Sequence, residues 1–253
     1  MIFVFNKDRI KTYLVSMLTV AMLIVFSNIG NIKSIQTSSV PKYLPIYNVK
    51  TDEKKIAFTM NCAWNADDID SILETLKNNN VHITFFIVGD WVDKYPEAVK
   101  KINEAGHEIG SHSNTHPHVN KLSAEKNLEE INLSVAKIQK ITGQKANIYR
   151  VPYGEYNNTV IKTAEENGYY TIQWNLDTLD YKGLTGEQMW NRLKNKLENG
   201  AIILSHNGTK HTADSLDMLI KNIKSKGYEI ITVSQLIYKD NYIINGNGTQ
   251  IHE

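Results

Sequence analysis

From residue 54 onward, short apolar runs of strand-forming residues alternate with stretches in which apolar residues recur every three or four positions. Residues 55–61 (KIAFTMN) read as a strand, and residues 67–78 as a helix with Ile69, Ile72, Leu73 and Leu76 on one face. A β-branched and aromatic strand follows at 81–88 (VHITFFIV). Pro96 opens a helix that Gly106 ends, and 107–110 is a third strand. The clearest helix is 123–142. Ala124, Leu128, Ile131, Val135 and Ile138 form its stripe, Ser123 its N-cap and Gly143 its C-cap. Strands at 147–150, 169–176, 201–205 and 228–232 alternate with helices at 159–167, 187–198, 212–226 and 234–238. About seven βα units between residues 54 and 238 predict a parallel sheet, open or closed into a barrel.

The flanks break this pattern. Lys7, Arg9 and Lys11 precede an uncharged run over 13–29, so residues 1–30 read as a signal peptide or membrane anchor, a hydrophobic helix ahead of the fold. The basic flank would stay in the cytoplasm and the rest would be exported. Residues 31–53 are polar, carry Pro41 and Pro45, and read as a linker. The folded domain is expected over 54–240, with 241–253 a frayed tail. The 253 residues, 42% hydrophobic, suffice for one large domain. Lys plus Arg number 28 against 27 acidic residues, which argues against nucleic-acid binding. Cys62 is the only cysteine, so no intramolecular disulfide forms.

Chemistry-bearing residues gather at predicted strand ends: Asn61 and Cys62, His112, Arg150, Asp177 and His206. In a barrel that is where an enzyme-type site sits. His112 and His116 lie at i and i+4. If the chain turned helical after Gly110, they would stack on one face at a separation suited to a divalent ion, although surface histidines are the blander alternative.

Four segments then make a specific resemblance. His112-Ser113-Asn114-Thr115-His116 matches an HSxxH motif, and Arg150-Val151-Pro152-Tyr153-Gly154 an RxPYG motif. Asp177-Thr178-Leu179-Asp180-Tyr181 resembles DxxDW, and Leu204-Ser205-His206 matches LxH. In this order they resemble the polysaccharide deacetylases with a NodB-type domain, carbohydrate esterase family 4. The resemblance implies an α/β fold, a distorted (β/α)7-8 barrel. It also implies metal-assisted hydrolysis of the amide bond of N-acetylated sugars in a polysaccharide or peptidoglycan. His112 and His116 would be metal ligands, with zinc expected and cobalt or manganese as alternatives. His206 would be the general acid held by Asp177, while Asp180 is read as structural. Arg150 would orient a carboxylate, Leu204 would line the acetyl pocket, and Tyr153 and Tyr181 would wall the sugar. The protein is expected to be a monomer, facing the cell wall from a membrane anchor or after secretion.

The chain departs from the family at its first motif. Where the family has TFDD, this sequence reads Thr59-Met60-Asn61-Cys62. Asn61 replaces the general base and cannot accept a proton. Cys62 or Asp68, with Asp67 as a further alternative, is the candidate third metal ligand. Trp64-Asn65-Ala66-Asp67-Asp68 resembles the WGxxD segment of the family's sporulation-type branch. Two functions follow: a metal-dependent deacetylase, or a catalytically impaired protein that binds wall carbohydrate or metal. A zinc hydrolase of another substrate class rests on Cys62 alone.

Overall fold

The computed structural model describes Lys11 and residues 16–19 and 43–253. The signal or anchor reading of 1–30 and most of the linker therefore lie outside the described residues. Among the described residues no helix is long and apolar enough to cross a membrane.

In chain order the elements are β1 (Asn48–Val49), β2 (Lys55–Cys62), α1 (Ile69–Asn78), β3 (Thr84–Ile87), α2 (Gly89–Lys94), α3 (Pro96–Glu104), β4 (Glu108–Ser111) and α4 (Ala124–Thr142). They continue as β5 (Ile148–Tyr149), α5 (Asn158–Glu166), β6 (Tyr170–Thr171), β7 (Leu176–Asp177), α6 (Gly186–Leu193), β8 (Ile202–His206), α7 (Thr212–Ser225), β9 (Glu229–Ile231), α8 (Val233–Leu236), β10 (Tyr242–Ile244) and β11 (Thr249–His252). Eight parallel strands form one curled sheet in the order β6-β5-β4-β3-β2-β8-β7, with β9 on the lower part of β2. This is the expected distorted (β/α) barrel.

β2 runs through its centre, and its alternation sorts the interior. Ile56, Phe58, Met60 and Cys62 face outward into an apolar layer shared with Ile72, Leu76, Leu219 and Ile223 of the helices. Ala57 faces inward with Ile202, Phe86, Ile148 and Ile231. The next inward positions, Thr59 and Asn61, are polar and buried. They mark the level at which the barrel's apolar filling gives way to the site.

Helix α4 has the bounds and caps that the sequence predicts. Ser123 accepts from the Lys126 N–H, and Gly143 adopts φ 74°. Two departures matter. The single strand expected over 169–176 is two short ones at opposite edges of the sheet, and 172–175 crosses the gap between them. Ile46 bridges to Ile172 there. The run 169–176, with Thr171, Gln173 and Asn175 alternating with apolar residues, has the period of a single strand and carries no sign of such a crossing. The tail expected to fray forms the hairpin β10–β11, and β11 pairs in parallel with β1, inside the expected linker. Fully buried Gln250 accepts from the Tyr238 N–H and donates to the Tyr238 carbonyl, at 2.9 and 2.8 Å. Gly200 is required where this sheet meets the barrel. A Cβ there would sit 1.7 Å from the Val49 carbonyl oxygen.

Two outcomes follow. Gln250→Ala leaves both backbone groups of Tyr238 without their partner, at about 1–3 kcal/mol. The melting temperature should fall by several degrees, and an unchanged value would show that the hairpin contributes nothing. Separately, His107 is buried at the foot of β4, where its Nδ1 accepts from the Ile83 N–H. Burial, with His82 adding to it, brings its imidazole down from 6.5 to about 4. The unfolded chain therefore takes up the proton first. The stability this residue contributes is complete above pH 6.5 and is lost as pH falls towards about 4. A His107→Asn variant should show a flatter loss of stability across that window in urea titrations. An identical slope would contradict the assignment.

Candidate active site

The upper ends of the strands enclose a cavity of about 440 Å³. Its wall includes Asn61, His112, His116, Tyr153, Asp177, Tyr181, Leu204 and His206, with Trp64 and Trp174. Eight of the sequence-predicted residues thus meet in one place. Arg150, fully buried, lies behind Asn61.

The histidine segment is not helical. His112 directly follows β4, and Ser113 and His116 adopt positive φ of 69° and 58°. The two rings meet edge to face, 4.8 Å apart. An i, i+4 spacing is equally compatible with a tight loop, and the loop here is fixed by a residue that carried no motif signal. Glu130, on α4, accepts from the main-chain N–H of Asn114 (2.9 Å) and Thr115 (2.8 Å) and from the Ser113 (2.8 Å) and Thr115 (3.1 Å) hydroxyls. On the other side, the carbonyls of Ser113 and Asn114 accept from the Gly89 and Asp90 N–H groups at the start of α2. Gly89 must lack a side chain, since a Cβ would lie 2.3 Å from Asn114 Oδ1.

Among the described residues, no carboxylate is in hydrogen-bond contact with the buried cation Arg150. Its guanidinium donates to Thr59 Oγ1 (2.8 Å), Asn61 Oδ1 (3.0 Å), the Gln173 carbonyl (3.1 Å) and the Ile172 carbonyl (3.4 Å), and it packs 4.1 Å over the Phe86 ring. Burial brings it down to about 9, so it stays charged at neutral pH. Because Asn61 Oδ1 accepts from Arg150, the Asn61 amide nitrogen must face the other way, and it lies 3.1 Å from His112 Nε2. His112 Nδ1 lies 2.8 Å from the Arg150 carbonyl, which can only accept. Burial, and His116 beside it, hold His112 well below its ordinary value, so the ring is neutral. Its one proton is then on Nδ1, and the Nε2 lone pair accepts from Asn61.

As a metal centre the set does not fit. Cys62 is buried on the outward face of β2, the opposite side from Asn61, and burial pushes its thiol well above the ordinary value, with Asp68 adding to the shift. The expectation that Cys62 could ligate is corrected by strand alternation. Asp68 spends both oxygens on Asn207 Nδ2 (3.1 Å) and the Gly208 N–H (2.7 Å), closing the loop after β8. Asp67 is exposed. Neither aspartate lines the cavity. Among the described residues no three His, Cys, Asp or Glu side chains are placed to hold a metal ion. His112 and His116 remain as a pair, and one of them already accepts a hydrogen bond at its free nitrogen.

The contact with His206 expected of Asp177 is made by Asp180 instead. Fully buried Asp180 holds His206: Oδ1 accepts from the ring Nδ1 at 2.8 Å, and Oδ2 from the His206 N–H at 2.6 Å and the Thr212 hydroxyl at 2.8 Å. Asp177 instead faces the cavity, with Oδ1 accepting from the Leu179 N–H at 2.7 Å. Leu179 at φ 53° turns the chain between them, and motif spacing carries no mark of that turn. His206 leaves Nε2 for the cavity, flanked by Trp64 and Tyr181, each with ring centroids 5.4 Å away. Tyr153, at φ 58°, stacks on His118 at 4.4 Å and meets His116 edge-on at 4.5 Å.

Residues 48–172 match the family profile described as polysaccharide deacetylase. The uncharacterized protein YlxY of Bacillus subtilis is 36% identical over 76% of this chain, which spans 60% of YlxY's length. A peptidoglycan-N-acetylglucosamine deacetylase of Bacillus cereus is 29% identical, with 79% of this chain and 74% of that one aligned. Among solved structures, BA3943 of Bacillus anthracis, described as a pseudoenzyme of carbohydrate esterase family 4, superposes with a TM-score of 0.74 at 31% identity, covering 83% of this chain and 74% of that one. A mutant of BA3943 described as having restored enzymatic activity superposes equally well at 32% identity, covering 78% and 72%. The barrel, the four motifs and these matches together make the chain a member of the polysaccharide deacetylase family, carbohydrate esterase family 4.

Proposed function

We propose that this protein is a binder of amino-sugar polymers of the cell wall, exported from the cytoplasm, in which amide hydrolysis is disabled at Asn61. The observation that carries the reading is the Asn61 amide bridge between Arg150 and His112. By resemblance, that position belongs to a carboxylate base. The amide takes up no proton, and its N–H group occupies the imidazole nitrogen that a metal would need. The binding surface is retained. Tyr153, Tyr181 and Trp64 expose 60%, 47% and 48% of their surface at the rim, as sugar-stacking aromatics do. Leu204 supplies an apolar wall within, and Asp180 keeps His206 oriented. Support also comes from BA3943, a relative described as a pseudoenzyme, and from its mutant with restored activity. The signal-like N-terminal run of the sequence and the peptidoglycan deacetylases among its relatives favour wall carbohydrate as partner. The alternative, an active metal-dependent deacetylase, rests on the intact His112, His116 and His206 and needs a base other than Asn61.

The soluble chain should release acetate from N-acetylglucosamine oligomers at the uncatalysed level with zinc, cobalt or manganese supplied. Asn61→Asp should raise the rate, since a general base contributes about 10²–10⁴-fold. Chelator-sensitive acetate release by the unaltered protein would overturn the reading. Dialysed against zinc and then desalted, the unaltered chain should keep well under one equivalent by elemental analysis. Retention of a full equivalent would show that the Asn61–His112 contact yields to metal.

A further inference from the structure

Freed from holding His206, Asp177 is a carboxylate without an assigned task. Among the described residues it is the single Asp or Glu in the cavity wall. One of its oxygens is fixed by the Leu179 N–H, and its main-chain carbonyl accepts from Arg192 Nε at 3.1 Å. Its other oxygen accepts from no protein donor among the described residues. The carboxylate is therefore anchored by the turn and half-buried with a vacant acceptor. Burial raises its carboxyl above the ordinary value, a strain that a neighbouring cation relieves. The other charges near the cavity are engaged. Arg150 lies behind Asn61 with its donors on four acceptors, and Asp180 is enclosed by His206, Thr212 and main-chain N–H groups. Arg192, bonded to the Asp177 main-chain carbonyl, is the nearby cation that acts on this carboxylate, and no side chain among the described residues donates to its vacant oxygen. Tyr181 and Trp64, whose faces attract cations, converge on His206 in the same wall.

We propose that the pocket recognises a hexosamine residue bearing a free amine, with the ammonium group on the vacant oxygen of Asp177 beside the Tyr181 and Trp64 rings. The proposal rests on the glycan-binding reading above and narrows it. An N-acetyl sugar offers one neutral N–H, whereas the free amine offers three donors and a charge that matches Asp177. The class of reaction that supplies such a ligand is hydrolysis of the N-acetyl group of the polymer. The protein would then read the product of the chemistry that Asn61 denies it.

The test compares β-1,4-linked tetramers of glucosamine and of N-acetylglucosamine, titrated calorimetrically at physiological ionic strength and mildly acidic pH. Three proteins are needed: the unaltered chain, Asp177→Asn, and Asp52→Asn, an equal change of charge on an exposed residue ahead of β2 and far from the cavity. The glucosamine tetramer should bind the unaltered chain about tenfold more tightly. Asp177→Asn should abolish the preference, read as the ratio of the two affinities, and Asp52→Asn should keep it. Equal or reversed affinities in the unaltered chain, a preference that survives Asp177→Asn, or one that vanishes in Asp52→Asn would overturn the proposal and leave glycan binding standing. Binding of neither tetramer would overturn the glycan-binding reading and this proposal together.

Discussion

A guanidinium buried at the centre of the barrel sets the terms for everything around it. Arg150 can remain charged there because four acceptors and an aromatic face surround it. One of those acceptors is Asn61 Oδ1, and this single bond fixes which way the amide faces. The orientation of Asn61 then fixes what His112 meets, and the Arg150 carbonyl fixes which ring nitrogen of His112 carries the proton. A chain of three hydrogen bonds thus converts the substitution of one side chain into a defined state of the histidine pair. In a carboxylate-bearing relative, the same guanidinium would face a charge. Here it faces a dipole, and the site is closed as a hydrogen-bonded network around one buried cation.

The alternation of β2 explains why a neighbour cannot compensate. Asn61 and Cys62 are adjacent in sequence but face opposite sides of the sheet, one the site and the other the apolar layer under the helices. Thiolate ligation by Cys62 would require the strand to turn over. Asp68 is close to the same region in sequence, yet it closes the loop after β8 by holding Asn207 and Gly208. The aromatic rim touches this network only through the ring contact of Tyr153 with His116, and Trp64, Tyr153 and Tyr181 stand on separate segments. Binding surface and hydrolytic machinery can therefore part ways in this fold.

Much of this was legible in the residues. The period-3.6 stripe and the caps of α4 gave its bounds, and the polar strand ends gathered where a barrel places its site. What stayed hidden has physical causes. The His112–His116 loop depends on Glu130, a helix residue whose four accepted hydrogen bonds leave no pattern in the sequence. Asp177 and Asp180 are both acidic and three positions apart, so which of them reaches His206 is decided by the left-handed turn at Leu179. The pairing of β11 with β1 joins the two ends of the domain, a contact that no local pattern encodes. The crossing at 172–175 hid inside one run for the same reason.

The state of His112 is the point at which the account is most exposed. A long-range proton–nitrogen NMR spectrum of the ¹⁵N-labelled chain at neutral pH reports which ring nitrogen carries the proton and whether metal binds the other. The account predicts a neutral ring protonated on Nδ1, with Nε2 shifted by its hydrogen bond to Asn61 and unmoved when zinc is added. A ring protonated on Nε2, or an Nε2 resonance that moves stoichiometrically with zinc, would contradict it.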